Sequence, residues 1–174
     1  MARLLGGDLC VEPLDTRHDR EGFVCGVDSL DRYFQTQASQ DVRRKANAVF
    51  VLIEPAAPIR GLGYYALCAT ALAAGDVPEA ARTHLPRYPL VSATLIGRLA
   101  VAQDRQGRGL GACLLADALQ RALASAGTVG SSMIVVDAIS ERAAAFYRGF
   151  GCVRLPDSLR LVLPTRAIAR MIRP

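Results

Sequence analysis

The sequence predicts an α/β fold built on a mixed sheet. Apolar runs in the first half form a hairpin-like pair, strands and helices alternate only in the second half, and one long stretch has the one-sided apolar pattern of a helix. A doubly wound parallel sheet would alternate throughout.

The elements follow in order. Residues Asp8 to Leu14 read as a short strand, and 15–22 as a polar loop. Either Asp28 or Ser29 suits an N-cap, because Leu30, Tyr33, Phe34, Ala38 and Val42 recur behind it at helical spacing. That helix should run to about Lys45. The cations Arg43, Arg44 and Lys45 suit the negative end of a helix, and they suit phosphates equally. Ala48 to Ile53 is nearly pure apolar and reads as a buried strand. It is joined through Glu54–Ile59 to a second strand over about Arg60 to Ala71. Residues 76–84 suggest a short helix with Pro78 in its first turn, and Leu85–Pro89 is too rich in proline for regular structure. Thr94 to Ala102 reads as a strand. Gly109 to Ala126 reads as a helix with Leu110, Leu114, Leu115, Ala118, Leu119, Ala122 and Leu123 on one broad face, stopped by Gly127 and Gly130. Met133 to Ala138 is an apolar strand. Ser140 caps a helix through Phe150, Val153 and Leu159 to Leu163 suggest closing strands, and a helical turn follows from Thr165.

A chain of 174 residues with 51% hydrophobic and 21% charged residues suggests one globular domain over 1–174, large enough to bury a core without disulfides or metals. No run approaches the roughly 20 apolar residues of a membrane span. The opening residues lack the apolar stretch and cleavage site of a secretion signal, so no membrane association is expected and the expected location is the cytoplasm. The five cysteines are odd in number and widely spaced, and His18 and His84 lie far from them in sequence. Buried free thiols are expected, with no metal site and both histidines structural.

The net charge is +5, and of 21 basic residues only Lys45 is a lysine. Residues 1–60 hold eight basic and nine acidic side chains, so the positive excess falls in the remainder. Arginine favours bidentate phosphate recognition, which fits a nucleic-acid or phosphorylated partner. A GC-rich genome that replaces Lys with Arg accounts for the same composition.

The most informative stretch is a strand, a Gly/Arg loop and a helix: Leu99-Ala100-Val101, then Gln106-Gly107-Arg108-Gly109-Leu110-Gly111-Ala112. Backbone N–H groups at a helix start point one way and carry partial positive charge, and glycine lets that backbone approach an anion. Arg105 and Arg108 add formal charge. The chemistry suited to this element is pyrophosphate binding. The P-loop pattern is absent for want of a Lys, and the three glycines do not have dinucleotide-fold spacing.

Gln106–Gly111 has the form Q/R-x-x-G-x-G/A and resembles the pyrophosphate loop of the GNAT N-acetyltransferases, which use acetyl-coenzyme A. Ala145-Phe146-Tyr147-Arg148-Gly149-Phe150-Gly151 resembles that family's A-x-x-F-Y-x-x-x-G-F pattern in compact form. Gly22–Phe34, Gly63-Tyr64-Tyr65-Ala66-Leu67, Leu85-Pro86-Arg87-Tyr88-Pro89, Leu95–Val101 and Val136-Asp137-Ala138 are similar, in the same order, to segments of the branch that holds the acetyltransferase toxins of toxin–antitoxin pairs. The similarity covers roughly residues 9–165.

The resemblance implies the GNAT fold: a mixed, mostly antiparallel central sheet of six to seven strands flanked by helices. It implies transfer of the acetyl group of acetyl-CoA to the α-amine of aminoacyl-tRNA, which blocks translation. Tyr147 would be the general acid to the coenzyme A thiolate. The alternative for Tyr147 is a core aromatic, but pairing of Phe146 with Phe150 on a core face would leave it turned off that face. Backbone N–H groups near Leu99, Ala100 and Val101 would hold the oxyanion and the pantetheine arm, and residues 106–112 the pyrophosphate. Arg87 and Arg98 lie in matched segments and would touch tRNA, with Arg43, Arg44, Lys45 and Arg82 extending a basic face. A ribbon-helix-helix antitoxin and a homodimer are implied partners, and no metal is. Asp137 and Glu141 are candidate bases, against solvated or capping roles. The alternative activities are a GNAT enzyme for a small amine or protein N-terminus, and a catalytically silent binding module.

Overall fold

The computed structural model describes residues 9–83, 85 and 87–172, with only the backbone of Ile172. Asp8, at the start of the first expected strand, and His84 lie outside them. The strands are β1 (Cys10–Pro13), β2 (Ala48–Ile53), β3 (Gly63–Ala73), β4 (Leu90–Val101), β5 (Met133–Asp137), β6 (Val153–Arg154) and β7 (Arg160–Pro164). The helices are α1 (Asp28–Arg32), α2 (Ala38–Arg43), α3 (Glu79–Arg82), α4 (Leu110–Ala126), α5 (Glu141–Gly149) and α6 (Thr165–Ile172). The strands make one seven-stranded sheet in the order β1-β2-β3-β4-β5-β7-β6. The β4–β5 ladder is parallel, whereas β1–β2, β2–β3, β5–β7 and β6–β7 are antiparallel. The expected mixed, mostly antiparallel sheet is present. No helix among the described residues is long and apolar enough to cross a membrane.

The chain divides into two compact units, one of residues 1–67 and 98–118, the other of 68–97 and 119–174. The first unit packs β1, β2 and the start of β3 around an aromatic core. β2 alternates enough to bury Val49 and Val51, then continues apolar through Leu52 and Ile53. Phe34 stacks on Tyr64 with centroids 4.4 Å apart at 11°, and Phe23 meets both rings edge-on. The Tyr64 hydroxyl, fully buried, donates to the Leu30 carbonyl at 2.8 Å, so its polar atom is satisfied inside the core.

The helix expected over 28–45 is interrupted. Between α1 and α2 the backbone makes a π-helical turn, Tyr33–Gln37. Such a turn widens the ladder and leaves carbonyls without helical partners. Arg20 meets two of them, donating to Phe34 O at 3.4 Å and Gln35 O at 3.1 Å. Neither Asp28 nor Ser29 is the cap: the N-cap is Val27, with no side-chain bond, and Asp28 opens the helix. Asp31, one turn in, reaches back and accepts the Cys25 N–H at 2.7 Å.

The second unit buries Leu72, Val77, Ala81, Val91, Ala93, Met133, Val135, Leu155 and Val162 together. The helix expected over 76–84 is only α3, preceded by a 3-10 turn, with Pro78 as N-cap rather than in the first turn. β4 starts at Leu90, earlier than expected, while the parallel ladder ends at Ile96↔Val136 although the strand runs on to Val101.

Cys10, Cys25, Cys113 and Cys152 are buried, Cys68 is half-buried, and none is in a disulfide. Burial pushes the Cys152 thiol up to about 11. Burial and then the hydrogen-bonded Asp31 push Cys25 up to about 11. Both are therefore inert thiols at neutral pH. His18 is structural as expected: it is buried, its Nδ1 accepts the Asp15 N–H at 2.9 Å, and its Nε2 lies 2.8 Å from Glu12.

Candidate functional site

In the first unit, β4 leads through a 3-10 turn (Gln103–Arg105) and extended Gln106 into the glycine loop and α4. Gly107 and Gly109 have φ of +75° and +77°, a backbone that side-chain-bearing residues rarely adopt, and nothing lies within 4 Å of where a Cβ would stand on either. The loop is therefore both turned and uncluttered. Gly109 O accepts the N–H groups of Ala112 and Cys113, closing the first turn of the 17-residue α4. The N–H groups of Gly107, Arg108 and Gly109 have no acceptor among the described residues, and they stand at the positive end of the helix dipole. Unpartnered N–H groups at a helix start suit an anion.

The charges around it divide. Arg105 brings its formal charge beside the loop, but that charge is paired: its guanidinium is 3.2 Å from Glu54 and 3.7 Å from Asp104, and Asp104 also pairs with Arg60. Arg108 is exposed and has no carboxylate partner among the described residues. The Gln106 side chain does not face outward as a ligand group. Its amide donates to Cys25 O at 2.8 Å and Val101 O at 3.0 Å. Leu110 is buried and offers only its backbone, whereas Gly111 and Ala112 are half-buried. On β4, Ala100 is buried between half-buried Leu99 and Val101. The parts that Glu54 and the Cys25 carbonyl play in fixing this loop are not legible in the sequence, because their partners lie 51 and 81 residues away.

In the second unit, Ser140 caps α5 as expected, accepting the Ala143 N–H at 3.2 Å. The face assignment is reversed, however. Ala144 and Tyr147, three residues apart, are the buried pair, and Tyr147 is only 6% exposed. Phe146 and Phe150 are half-buried and pair with each other at 5.1 Å, with Phe146 also edge-on to Tyr147 at 5.1 Å. Burial, and then the neighbouring Cys152, raise the Tyr147 hydroxyl above the ordinary tyrosine value. It stays protonated across the working pH range, as an acid must before it donates. The candidate bases are both gripped by arginines: Asp137 by Arg160 and Glu141 by Arg154, each through both carboxylate oxygens. The Arg154 guanidinium also holds Glu141 below the usual carboxylate range.

The basic candidates are placed unequally. Arg43, Arg44 and Lys45 are exposed together at the end of α2, and Arg87 is exposed before β4. Arg98 is half-buried, its guanidinium 3.7 Å from the centroid of the Tyr33 ring. Arg82 donates to Val77 O and Gly75 O, so it braces its own turn. Among the described residues no group of three or more His, Cys, Asp or Glu can hold a metal ion.

Residues 84–152 match the acetyltransferase (GNAT) family. A tRNA-acetylating toxin of Mycobacterium tuberculosis is 36% identical over 146 residues, covering 83% of this chain and 85% of that protein. The structure of AtaT complexed with acetyl-methionyl-tRNAfMet superposes with a TM-score of 0.86 at 28% identity, over 95% of this chain and 100% of that one. A Tyr-to-Phe mutant of AtaT, bound to the C-terminus of the antitoxin AtaR and acetyl-CoA, gives 0.82 at 26% identity, over 96% and 99%. On these matches the chain belongs to the GNAT acetyltransferase family, in the branch of the tRNA-acetylating toxins.

Proposed function

We propose that this protein transfers the acetyl group of acetyl-CoA to the α-amine of the amino acid on charged tRNA, and thereby stops its use in peptide-bond formation. The observation that carries the reading is the match over 95% of the chain to AtaT, a protein solved with acetyl-methionyl-tRNAfMet. The loop geometry supports the donor: unpartnered N–H groups at Gly107 to Gly109, the start of α4 and the unpaired Arg108 fit a pyrophosphate. Backbone groups near Leu99 to Val101, on the stretch of β4 past the end of the parallel ladder, would hold the pantetheine arm and the developing oxyanion.

In the transfer, the amine nitrogen forms a bond to the thioester carbonyl carbon, and the carbon–sulfur bond breaks. The Tyr147 hydroxyl gives its proton to the departing thiolate and regains one from solvent, while the acetylated nitrogen loses its extra proton to water. A free α-amine has a pKa of about 8, and an adjacent ester lowers it, so the attacking nitrogen is largely neutral without a protein base. Arg43, Arg44, Lys45, Arg87 and Arg98 are the proposed contacts to tRNA phosphates. A ribbon-helix-helix antitoxin whose C-terminal tail covers the active site is the proposed partner, and the protein acts as a homodimer in the cytoplasm.

The test is transfer of labelled acetyl groups from acetyl-CoA to a pool of charged tRNAs, with uncharged tRNA as control. Label on charged tRNA alone is expected. Acetyl-CoA binding without label on any charged tRNA would overturn the substrate and turn the search to small amines and protein N-termini.

A further inference from the structure

α6 begins directly where β7 ends, and its first residues line a cavity of about 440 Å³. The other walls include the end of α4 at Ala126 and Gly127, and the entry to β5 at Ser131 and Ser132. Every lining residue belongs to the second unit, whereas the glycine loop belongs to the first. The cavity is therefore not part of the site described above.

Thr165 lines this cavity and is only 6% exposed, yet its hydroxyl has no hydrogen-bond partner. The polar groups around it are met. The Ser131 hydroxyl shares a 2.9 Å bond with that of Thr94, the Ser132 N–H donates to Ser92 O at 2.9 Å, and the Thr165 N–H donates to Ser132 O at 3.0 Å. A buried hydroxyl left unmet costs stability, so native proteins rarely keep one without a use. Here it stands beside space that a ligand can fill.

The sign of that ligand follows from the charges. Arg166 lines the same cavity, is exposed, and has no carboxylate partner among the described residues. No Asp or Glu is among the lining residues. The N–H groups of Arg166 and Ala167 lie in the first turn of the eight-residue α6, where a helix supplies no acceptor, and they have none elsewhere among the described residues. The end of α4 works against an anion, because it carries about half a negative charge, but the start of α6 offsets it with about half a positive one. In that end of α4, Ser125 O already accepts the Thr128 and Val129 N–H groups. The full charge of Arg166 is left over and decides for an anion. A hydroxyl, two backbone N–H groups and a guanidinium are the donors that suit a phosphate group.

We propose that the cavity at the start of α6 is a phosphate-binding site, formed by the Thr165 hydroxyl, the Arg166 guanidinium and the N–H groups of Arg166 and Ala167. The phosphate comes from the backbone of tRNA or from free phosphate in solution. The first source rests on the substrate reading above, and the site itself does not.

The experiment titrates inorganic phosphate into the full chain, with chloride at matched ionic strength as control, and follows the backbone amide resonances of residues 165–167 by NMR. A saturable shift with phosphate alone is expected. Thr165→Val keeps the shape and removes the donor, and should weaken phosphate about tenfold, the scale of one hydrogen bond to a charged group. Arg166→Gln should weaken it by a similar factor, and Thr165→Ser should stay within about threefold of wild type. In phosphate-free buffer Thr165→Val should melt at or above the wild-type temperature, because the hydroxyl it removes is unmet there. Labelled-acetyl transfer then separates the sources. If tRNA supplies the phosphate, Thr165→Val and Arg166→Gln raise KM for charged tRNA, and Arg166→Gln lowers the slope of log affinity against log salt by roughly 0.7 to 0.9. If KM for charged tRNA stays at the wild-type value while phosphate binding is lost, the site serves free phosphate.

No saturable shift in wild type, or equal phosphate affinity in wild type and Thr165→Val, would overturn the proposal. So would a Thr165→Val melting temperature below wild type in phosphate-free buffer, since the hydroxyl would then have a structural partner. If Thr165→Val does not melt cooperatively, Arg166→Gln decides, because its side chain is exposed. Wild type that shifts with phosphate but leaves charged tRNA unlabelled would sink the substrate reading and leave this site standing.

Discussion

The Asp137 carboxylate is held at both oxygens by Arg160, with Nε 2.6 Å from Oδ1 and an Nη 2.9 Å from Oδ2. The lone pairs that a general base would use are already turned to a guanidinium. Both side chains are about two-fifths exposed, so the pair is screened by water and contributes well under about 1 kcal/mol to stability. Asp137→Asn should therefore keep kcat/KM on charged tRNA within about threefold, because general-base removal costs about a hundredfold or more. The pH profile should rise as the substrate amine loses its proton and then level off, in wild type and variant alike. A hundredfold loss in the variant, measured between pH 6 and 9, would return Asp137 to the role of base.

Tyr147 offers a sharper contrast. Its hydroxyl is kept protonated by burial, so the group is in its donating form throughout that range, and no alkaline decline of kcat below about pH 10 should trace to it. Tyr147→Phe removes the proton while keeping the ring beside Phe146. The expected result is a kcat lower by about a hundredfold to a thousandfold, with the acetyl-CoA dissociation constant and melting temperature unchanged. A variant that loses acetyl-CoA binding instead would make Tyr147 a packing residue, as its burial beside Ala144 allows.

The glycine loop separates strain from crowding. An alanine at Gly107 or Gly109 meets no atom within 4 Å but must adopt a left-handed backbone, at a cost of about 1–2 kcal/mol. If the loop resists by relaxing its φ angles, the N–H groups turn away, and acetyl-CoA affinity should fall about tenfold. Gly75 is a matched control: it also has open space, but no positive φ, and Gly75→Ala should leave affinity and melting unchanged. Equal behaviour of the three variants in a calorimetric titration would remove the left-handed loop from the argument.

Gly63 fails for the opposite reason. A Cβ there would lie 2.7 Å from the Ala100 carbonyl oxygen and 2.8 Å from Leu114 Cδ1. The first contact is with backbone and cannot rotate aside. Gly63→Ala should cost about 1–3 kcal/mol, which for a chain of this size lowers the melting temperature by several degrees.

These positions also show what the sequence could reveal. Local chemistry was legible: Ser140 as a cap, the long α4, and the glycines of 107–111 were set by neighbours within a few residues. The π-helical turn at Tyr33–Gln37 was not, because its apolar spacing differs from an α-helix by one residue, and the Arg20 that satisfies its carbonyls comes from the preceding loop. The sequence points Tyr147 to the wrong face, since Phe146 and Phe150 form an apolar pair at helical spacing, while the Ala144–Tyr147 pair hides its larger burial behind a small residue. The Glu54–Arg105 and Gln106–Cys25 contacts span 51 and 81 residues, and no periodicity records such separations.

The basic residues divide by what they already touch, and so do their expected effects. Arg44 and Lys45 are exposed at the end of α2, with no ion pair among the described residues to compete with a phosphate. Arg98 is committed to the Tyr33 ring, so its removal costs packing and a cation–π contact as well as charge. Arg44→Ser should raise KM for charged tRNA and lower the slope of log affinity against log salt by roughly 0.9, the release of one phosphate contact. Lys45→Asn should do the same, and asparagine tolerates the φ of +60° that Lys45 adopts. Arg98→Ala should lower the melting temperature too, which the first two should not. Acetyl-CoA binding should be the same in all three. If Arg44→Ser and Lys45→Asn leave the salt slope untouched, these cations serve only the helix end, and the tRNA face lies with Arg87 and the remaining arginines of the more basic part of the chain.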